Sequence, residues 1–143
     1  MEKDLSRFLK AQEKDYDTAL SEIRSGQKRS HWMWYIFPQI HGLGHSGISQ
    51  YYSIQSLKEA MDYIHDPVLG RRLIEISNAL LELKTSDPHL VFGSPDDMKL
   101  RSCMTLFETA DPNEPVFGQI LEKYYGGNCD KRTLEILKTE VNG

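Results

Sequence analysis

The pattern of apolar residues predicts an all-α protein, a compact single-domain bundle of about seven or eight short helices around a central aromatic helix. Three observations carry that prediction. Apolar residues recur at three- and four-residue spacing along most of the chain. Ser, Asp, Pro and Gly fall between these stretches where helices start and stop. No useful run alternates with period two, and no Asn-Gly turn separates two apolar runs.

The elements follow in order. Leu5, Phe8 and Leu9 share a face of a first helix, and Tyr16, Ala19, Leu20 and Ile23 share a face of a second, which Gly26 stops. After the polar connector Gln27-Lys28-Arg29, Ser30 is placed to cap a short helix beginning at His31. Pro38 limits that helix, because the residue before a proline is pushed out of the α region. Both tryptophans of the chain, a Tyr and a Phe lie between Trp32 and Phe37. Such rings bury on the order of 150–250 Å² each, so this stretch is expected at the centre of the core.

Residues 41–49 hold three glycines and two serines and read as an irregular loop. Residues 51–54 read as a short strand or extended chain. Ser56-Leu57-Lys58-Glu59 has the capping-box pattern and opens a helix through Ala60, Met61 and Ile64. Asp66-Pro67 starts the next helix, whose stripe of Leu69, Leu73, Ile76, Leu80 and Leu83 is the longest in the chain. Asp87-Pro88 breaks the chain again, and a short turn through Phe92 closes at Gly93. Ser94-Pro95-Asp96-Asp97 reads as a cap with a proline at the first helical position and acidic residues in the first turn, ahead of Met98, Leu100, Met104, Leu106 and Phe107. Val116, Phe117, Ile120, Leu121 and Tyr124 form one more helix, stopped at Gly126-Gly127. Asp130 caps a last helix carrying Leu134, Ile136, Leu137 and Val141.

The 143-residue length fits one domain that buries roughly two thirds of its surface on folding. The formal net charge of −4 is spread in mixed sign, which disfavours a general nucleic-acid surface while leaving room for a local basic pocket. No apolar run approaches the roughly 20 residues that cross a bilayer, and the charged start at Met1-Glu2-Lys3-Asp4 lacks the pattern of a signal peptide. The two cysteines, Cys103 and Cys129, have neither metal-type spacing nor the number for a disulfide scaffold. A reducing, cytoplasmic setting fits best. His41 and His45 are four apart, but two glycines between them argue against the helix that a zinc pair needs. No metal or cofactor is expected.

The candidate functional residues flank the aromatic stretch. Lys28, Arg29 and His31 precede it, where a helix N-terminus would offer unpaired N–H groups to a phosphate or carboxylate; the alternative is a solvated connector with a capping histidine. Gln39, His45 and Ser46 follow it, in a loop whose glycines would let backbone approach a ligand. Gly42-Leu43-Gly44-His45-Ser46-Gly47 is neither a dinucleotide fingerprint nor a Walker loop. On the helix after Ser94, Lys99, Ser102 and Thr105 are spaced to form one polar stripe. Asp97 either completes the cap with Ser94 or joins that stripe. Cys103 reads as a small buried hydrophobe rather than a nucleophile.

The stretch from Lys28 to Ser46, K-R-S-H-W-M-W-Y-I-F-P-Q-I-H-G-L-G-H-S, resembles the signature of the family known as domain of unknown function 1810, small and mostly bacterial proteins. Further matches include Arg7-Phe8 with Gln12, residues 16–20, 57–60 and 69–73, Phe92-Gly93 with Asp97 and Lys99-Leu100, residues 104–107, and Asp130 with Thr133-Leu134. Cys103 departs from the small residue such as Ser that is usual in such helices. The resemblance implies a compact helical fold and brings no activity, cofactor or catalytic residue. The calpastatin label sometimes attached to the family does not fit a chain without disordered repeats.

Two functional readings follow. In the first, a small anionic or nucleotide-like molecule binds where Lys28, His31, Gln39, His45 and Ser46 meet Lys99, Ser102 and Thr105, with aromatic rings as the apolar wall. If the protein is a hydrolase or transferase, His31 or Asp97 is the candidate acid or base. In the second, it is a non-catalytic interaction module presenting Tyr51-Tyr52 and Tyr124-Tyr125 to another protein.

Overall fold

A computed structural model describes residues 4–142, with side chains through residue 140; Met1, Glu2 and Lys3, and the side chain of Val141, lie outside the described residues. Nine helices are present among them: α1 (Ser6–Ser25), α2 (Met33–Ile36), α3 (Gly47–Tyr51), α4 (Leu57–His65), α5 (Leu69–Glu82), α6 (Pro88–Phe92), α7 (Asp96–Ala110), α8 (Pro115–Tyr125) and α9 (Lys131–Asn142). The protein is all-α; among the described residues the one β-type pairing is an isolated bridge between Ile40 and Ile54.

The two helices expected before Gly26 are one continuous helix, because nothing between Leu9 and Tyr16 breaks it. Gln12 sits on the buried face that appeared interrupted there. Its amide donates to the Tyr35 carbonyl at 2.7 Å and the Tyr63 hydroxyl at 2.9 Å, so a polar residue continues the apolar stripe. Gly26 ends α1 in the left-handed conformation at φ 88°, as the stop signal predicted. Ser56 caps α4 by accepting from the Glu59 N–H at 3.1 Å. Asp66 takes the N–H groups of Val68 and Leu69, each at 2.9 Å, and so opens α5. Gly70 lets α5 turn against α4: a Cβ there would stand 1.9 Å from the Ile64 carbonyl oxygen. Pro95 is the N-cap residue of α7, not its first helical residue, and no side chain caps that end. Asp96 and Asp97 do occupy the first turn.

The element in contact with most others is α7, which lies against α4, α6, α8 and α9. Its Leu100, Cys103, Met104, Leu106 and Phe107 are fully buried. Burial pushes the Cys103 thiol well above its usual value, which removes it as a nucleophile. The aromatic stretch is in the core too, with Trp32 and Phe37 essentially inaccessible. It forms only a single helical turn, seated on α1. Met98 and Leu134, expected on apolar stripes, are exposed.

Ser30 does not cap α2, which has Trp32 at its N-cap and no side-chain cap. The connector is instead gathered by Glu22 of α1. Its carboxylate accepts from the Arg29 N–H at 2.8 Å, the Ser30 N–H and Trp32 Nε1 at 2.9 Å each, and the Ser30 hydroxyl at 2.5 Å. Desolvation alone would raise the Glu22 pKa, but these four donors hold it down at about 2.

A second anchor is Arg7 of α1, buried to 4% exposure. Its guanidinium donates to the carbonyls of Asp4 at 2.5 Å, Tyr51 at 2.8 Å and Ser53 at 2.7 Å. It also pairs with Glu59 of α4 at 2.9 Å. The Glu59 carboxylate accepts from the Gln55 N–H at 2.9 Å rather than closing a capping box on Ser56. The 41–53 loop is thus pinned at both ends: the N–H groups of His41 and Ile54 donate to the carbonyls of Ile54 and Gln39, each at 2.8 Å, and Arg7 holds the returning chain.

Removing one partner of a buried ion pair leaves the other uncompensated, so Arg7→Met is expected to cost about 3–5 kcal/mol in urea unfolding. Glu22→Gln is expected to cost about 1–3 kcal/mol at neutral pH. Because the folded-state pKa of Glu22 is depressed, its stabilisation is present above about pH 4.5 and lost as pH falls toward 2. The gap between wild type and Glu22→Gln should therefore close over that interval in pH-dependent unfolding.

Candidate functional site

Between the 43–49 loop and the first two turns of α7 lies an open cleft of about 400 Å³. Its floor and walls bring together residues distant in sequence. Gln39, Leu43, Gly44, His45, Ser46 and Ser49 come from the pinned loop, Trp34 from α2, Pro95, Met98, Lys99 and Ser102 from α7 and its approach, and Asp130 and Arg132 from the start of α9.

Trp34 supplies the aromatic wall. It is half-buried, unlike Trp32, and the Lys99 ammonium stands 5.6 Å from its ring centroid. This spacing places the cation over the π face, where ring and charge attract. Lys99 also approaches Asp96 at 3.5 Å, and Asp96 pairs more closely with Lys28, at 3.0 Å. One carboxylate thus stands against two ammonium groups. Arg132 is exposed and makes no hydrogen bond or ion pair among the described residues. The side chains of Gln39 and His45 are likewise without a polar partner there.

The loop side of the cleft depends on close backbone packing. Ser46 caps α3 by accepting from the Ser49 N–H at 3.2 Å, and the Ser49 hydroxyl donates to the Ser46 carbonyl at 3.0 Å. A Cβ on Gly44 would meet the Ser49 Oγ at 2.5 Å and its Cβ at 2.8 Å. The loop is therefore more ordered than its glycine content suggests: residues expected to be irregular include the short helix α3.

Of the residues singled out in the sequence, Gln39, His45, Ser46, Lys99 and Ser102 line this one cleft. Others do not. Lys28 is drawn away from solvent: its ammonium donates to the Ser30 carbonyl at 2.6 Å, pairs with Asp96 and lies 5.1 Å from the Trp32 ring centroid. His31 is exposed and precedes α2, so no helix N-terminus gathers it with Lys28. Thr105 is buried and structural. It donates to the Arg101 carbonyl at 2.8 Å and accepts from the Asp130 N–H at 2.9 Å, so the expected stripe turns away from the cleft after Ser102. Asp97 spends one oxygen on the Met98 N–H at 2.8 Å and faces His89 with the other at 3.4 Å, outside the cleft. Neither His31 nor Asp97 lines this cleft.

Trp34, expected in the core with Trp32, and Arg132, which no sequence motif marks, both line the cleft. The basic pair Lys131-Arg132 in an acidic chain was the available signal. Nothing local indicated that it lies beside a residue nearly a hundred positions earlier. The aromatic patch expected from Tyr124-Tyr125 is absent: Tyr124 is buried with its hydroxyl on the Leu80 carbonyl at 2.6 Å, and the Tyr125 hydroxyl donates to the Asp97 carbonyl. Among the described residues no helix is long and apolar enough to cross a membrane, and no group of three or more His, Cys, Asp or Glu is placed to hold a metal ion.

Residues 2–137 match the family described as a protein of unknown function, DUF1810. The chain belongs to the DUF1810 family. Its fold is similar to the crystal structure of a conserved hypothetical protein, Rv1873, from Mycobacterium tuberculosis. The two are 43% identical, with a TM-score of 0.93, over 95% of this chain and 97% of the other. No curated protein matches the chain.

The close approach at Gly44 makes the loop testable. Gly44→Ala forces Ser49 to move and is expected to destabilise the fold by about 1–3 kcal/mol. Adding Ser49→Gly removes the atoms it would strike and should restore most of the loss, as read from thermal unfolding of the single and double variants.

Proposed function

We propose that this DUF1810 protein binds a small anionic ligand of nucleotide-like character in the cleft beside Trp34. The observation that carries this reading is the convergence of an accessible indole face with Lys99 and Arg132 in a concave site, on a chain whose net charge is −4. A planar ring gains from stacking on such a face, with base–aromatic contacts worth about 1–3 kcal/mol. An anionic group on the same molecule would pair with Arg132 and draw Lys99 from Asp96. Gln39, Ser102 and His45 offer directional hydrogen bonds at the rim, the mixture of apolar wall and few polar groups that small-molecule sites use.

The reading is one of binding. An interaction module has less to stand on, since Tyr124 is buried and Tyr125 is half-buried with its hydroxyl on the Asp97 carbonyl.

A thermal-shift screen of nucleotides and metabolite phosphates tests the proposal. A ligand present at a hundredfold its Kd should stabilise the native protein by about 2.7 kcal/mol. Trp34→Leu and Lys99→Gln should each weaken that ligand about tenfold by titration calorimetry. If every nucleoside phosphate leaves the unfolding temperature unchanged, or the two variants bind as wild type does, the proposal fails.

A further inference from the structure

Beyond the ridge formed by Asp130 and Arg132, a second depression of about 550 Å³ opens around the start of α9. It is lined by Arg101, Lys131 and Arg132, by Asp130, and by the chain from Gly127 to Cys129. Three cations thus face one carboxylate.

That carboxylate is already engaged. One Asp130 oxygen accepts from the Thr133 N–H at 2.9 Å and the Thr133 hydroxyl at 2.6 Å. The other stands 3.7 Å from an Arg101 terminal nitrogen, too far for a close bidentate pair. Arg101 is three-quarters buried, and its Nε–H is shielded from solvent with no hydrogen-bond partner. A phosphoryl oxygen is the acceptor that a guanidinium fork suits best, and the quarter of the Arg101 side chain left exposed is what a ligand in the depression can meet. Lys131 and Arg132 are exposed and make no ion pair among the described residues, so their charges are free for a ligand.

We infer that this depression is an oxyanion subsite for a phosphoryl group, held by Arg101, Lys131 and Arg132. Because Asp130 and Arg132 line both hollows, the two adjoin across these residues, and one molecule long enough to cross them can reach both. The inference deepens the reading given above in that case: a planar ring rests by Trp34 and a phosphate, or the far end of a diphosphate, lies past Arg132. The subsite itself depends on neither Trp34 nor Lys99, so it stands or falls separately.

Pyrophosphate alone is the first probe, followed by two-dimensional amide NMR at low ionic strength. Saturable shifts confined to residues 127–132 and Arg101 are expected, with about tenfold weaker binding in Lys131→Gln and in Arg101→Gln. Trp34→Leu should bind pyrophosphate as wild type does. Lys131→Gln guards the test, because this exposed, unpaired residue can be changed without disturbing the fold, whereas Arg101 touches Asp130. A nucleoside diphosphate then separates the sources of the anion. If it binds more tightly than pyrophosphate and loses that gain in Trp34→Leu, one ligand spans both hollows. If pyrophosphate shifts residues 127–132 but the nucleoside adds nothing, the subsite stands and the ring site falls. Linear, unsaturating shifts, or equal binding by wild type and Lys131→Gln, would overturn the subsite even where a nucleoside phosphate still binds beside Trp34.

Discussion

The buried guanidinium of Arg7 is the constraint on which the rest of the architecture depends. A charge at 4% exposure is tolerable only when its donors are spent, and Arg7 spends them on three backbone carbonyls and one carboxylate. Two of those carbonyls, on Tyr51 and Ser53, belong to the returning end of the loop that walls the cleft. The helix α1 therefore fixes a loop more than forty residues away without touching the cleft itself. Glu22, in the last turn of the same helix, does the corresponding work for the connector before the aromatic turn. A single long helix with an arginine near one end and a carboxylate near the other holds both flanks of the aromatic segment in place.

That arrangement explains why so short a helix as α2 can sit in the core. Four residues form too few internal hydrogen bonds to persist alone, since a helix nucleus fixes several dihedral angles for each bond gained. The turn is held from outside: Glu22 takes the indole N–H of Trp32, Gln12 takes the Tyr35 carbonyl, and Asp15 takes the Tyr35 hydroxyl. Packing of Trp32 against Phe37, and of Phe37 edge-on to Phe92, adds the apolar share.

Helix periodicity and stop signals were legible in the sequence, because they are local. The capping by Ser56, the opening of α5 at Asp66 and the left-handed stop at Gly26 all follow from side chains within three or four residues of the backbone they serve. The continuity of α1 was hidden by Gln12, a polar residue whose partners are contributed by distant elements. The candidate site was legible in part for the same reason. Gln39 marked itself as a polar residue directly after the core segment, His45 and Ser46 by lying between glycines, and Lys99 and Ser102 by their helical spacing. Lys28 and Thr105 carry the same residue chemistry but are consumed by Asp96 and Asp130, pairings that no spacing along the chain reveals. Arg132 joins the cleft only because α9 packs against α7, a tertiary fact.

The two tryptophans, two residues apart, end in opposite surroundings. Trp32 is sealed beneath the connector with its N–H on Glu22, while Trp34 looks into the cleft beneath the Lys99 ammonium. The protein consequently carries its own pair of optical probes. The emission of Trp32 tracks whether the chain is folded, and that of Trp34 responds to whatever enters beside Lys99. Replacing either one by phenylalanine would isolate the other, so that assembly of the core and occupancy of the cleft could be followed as separate signals in one unlabelled sample.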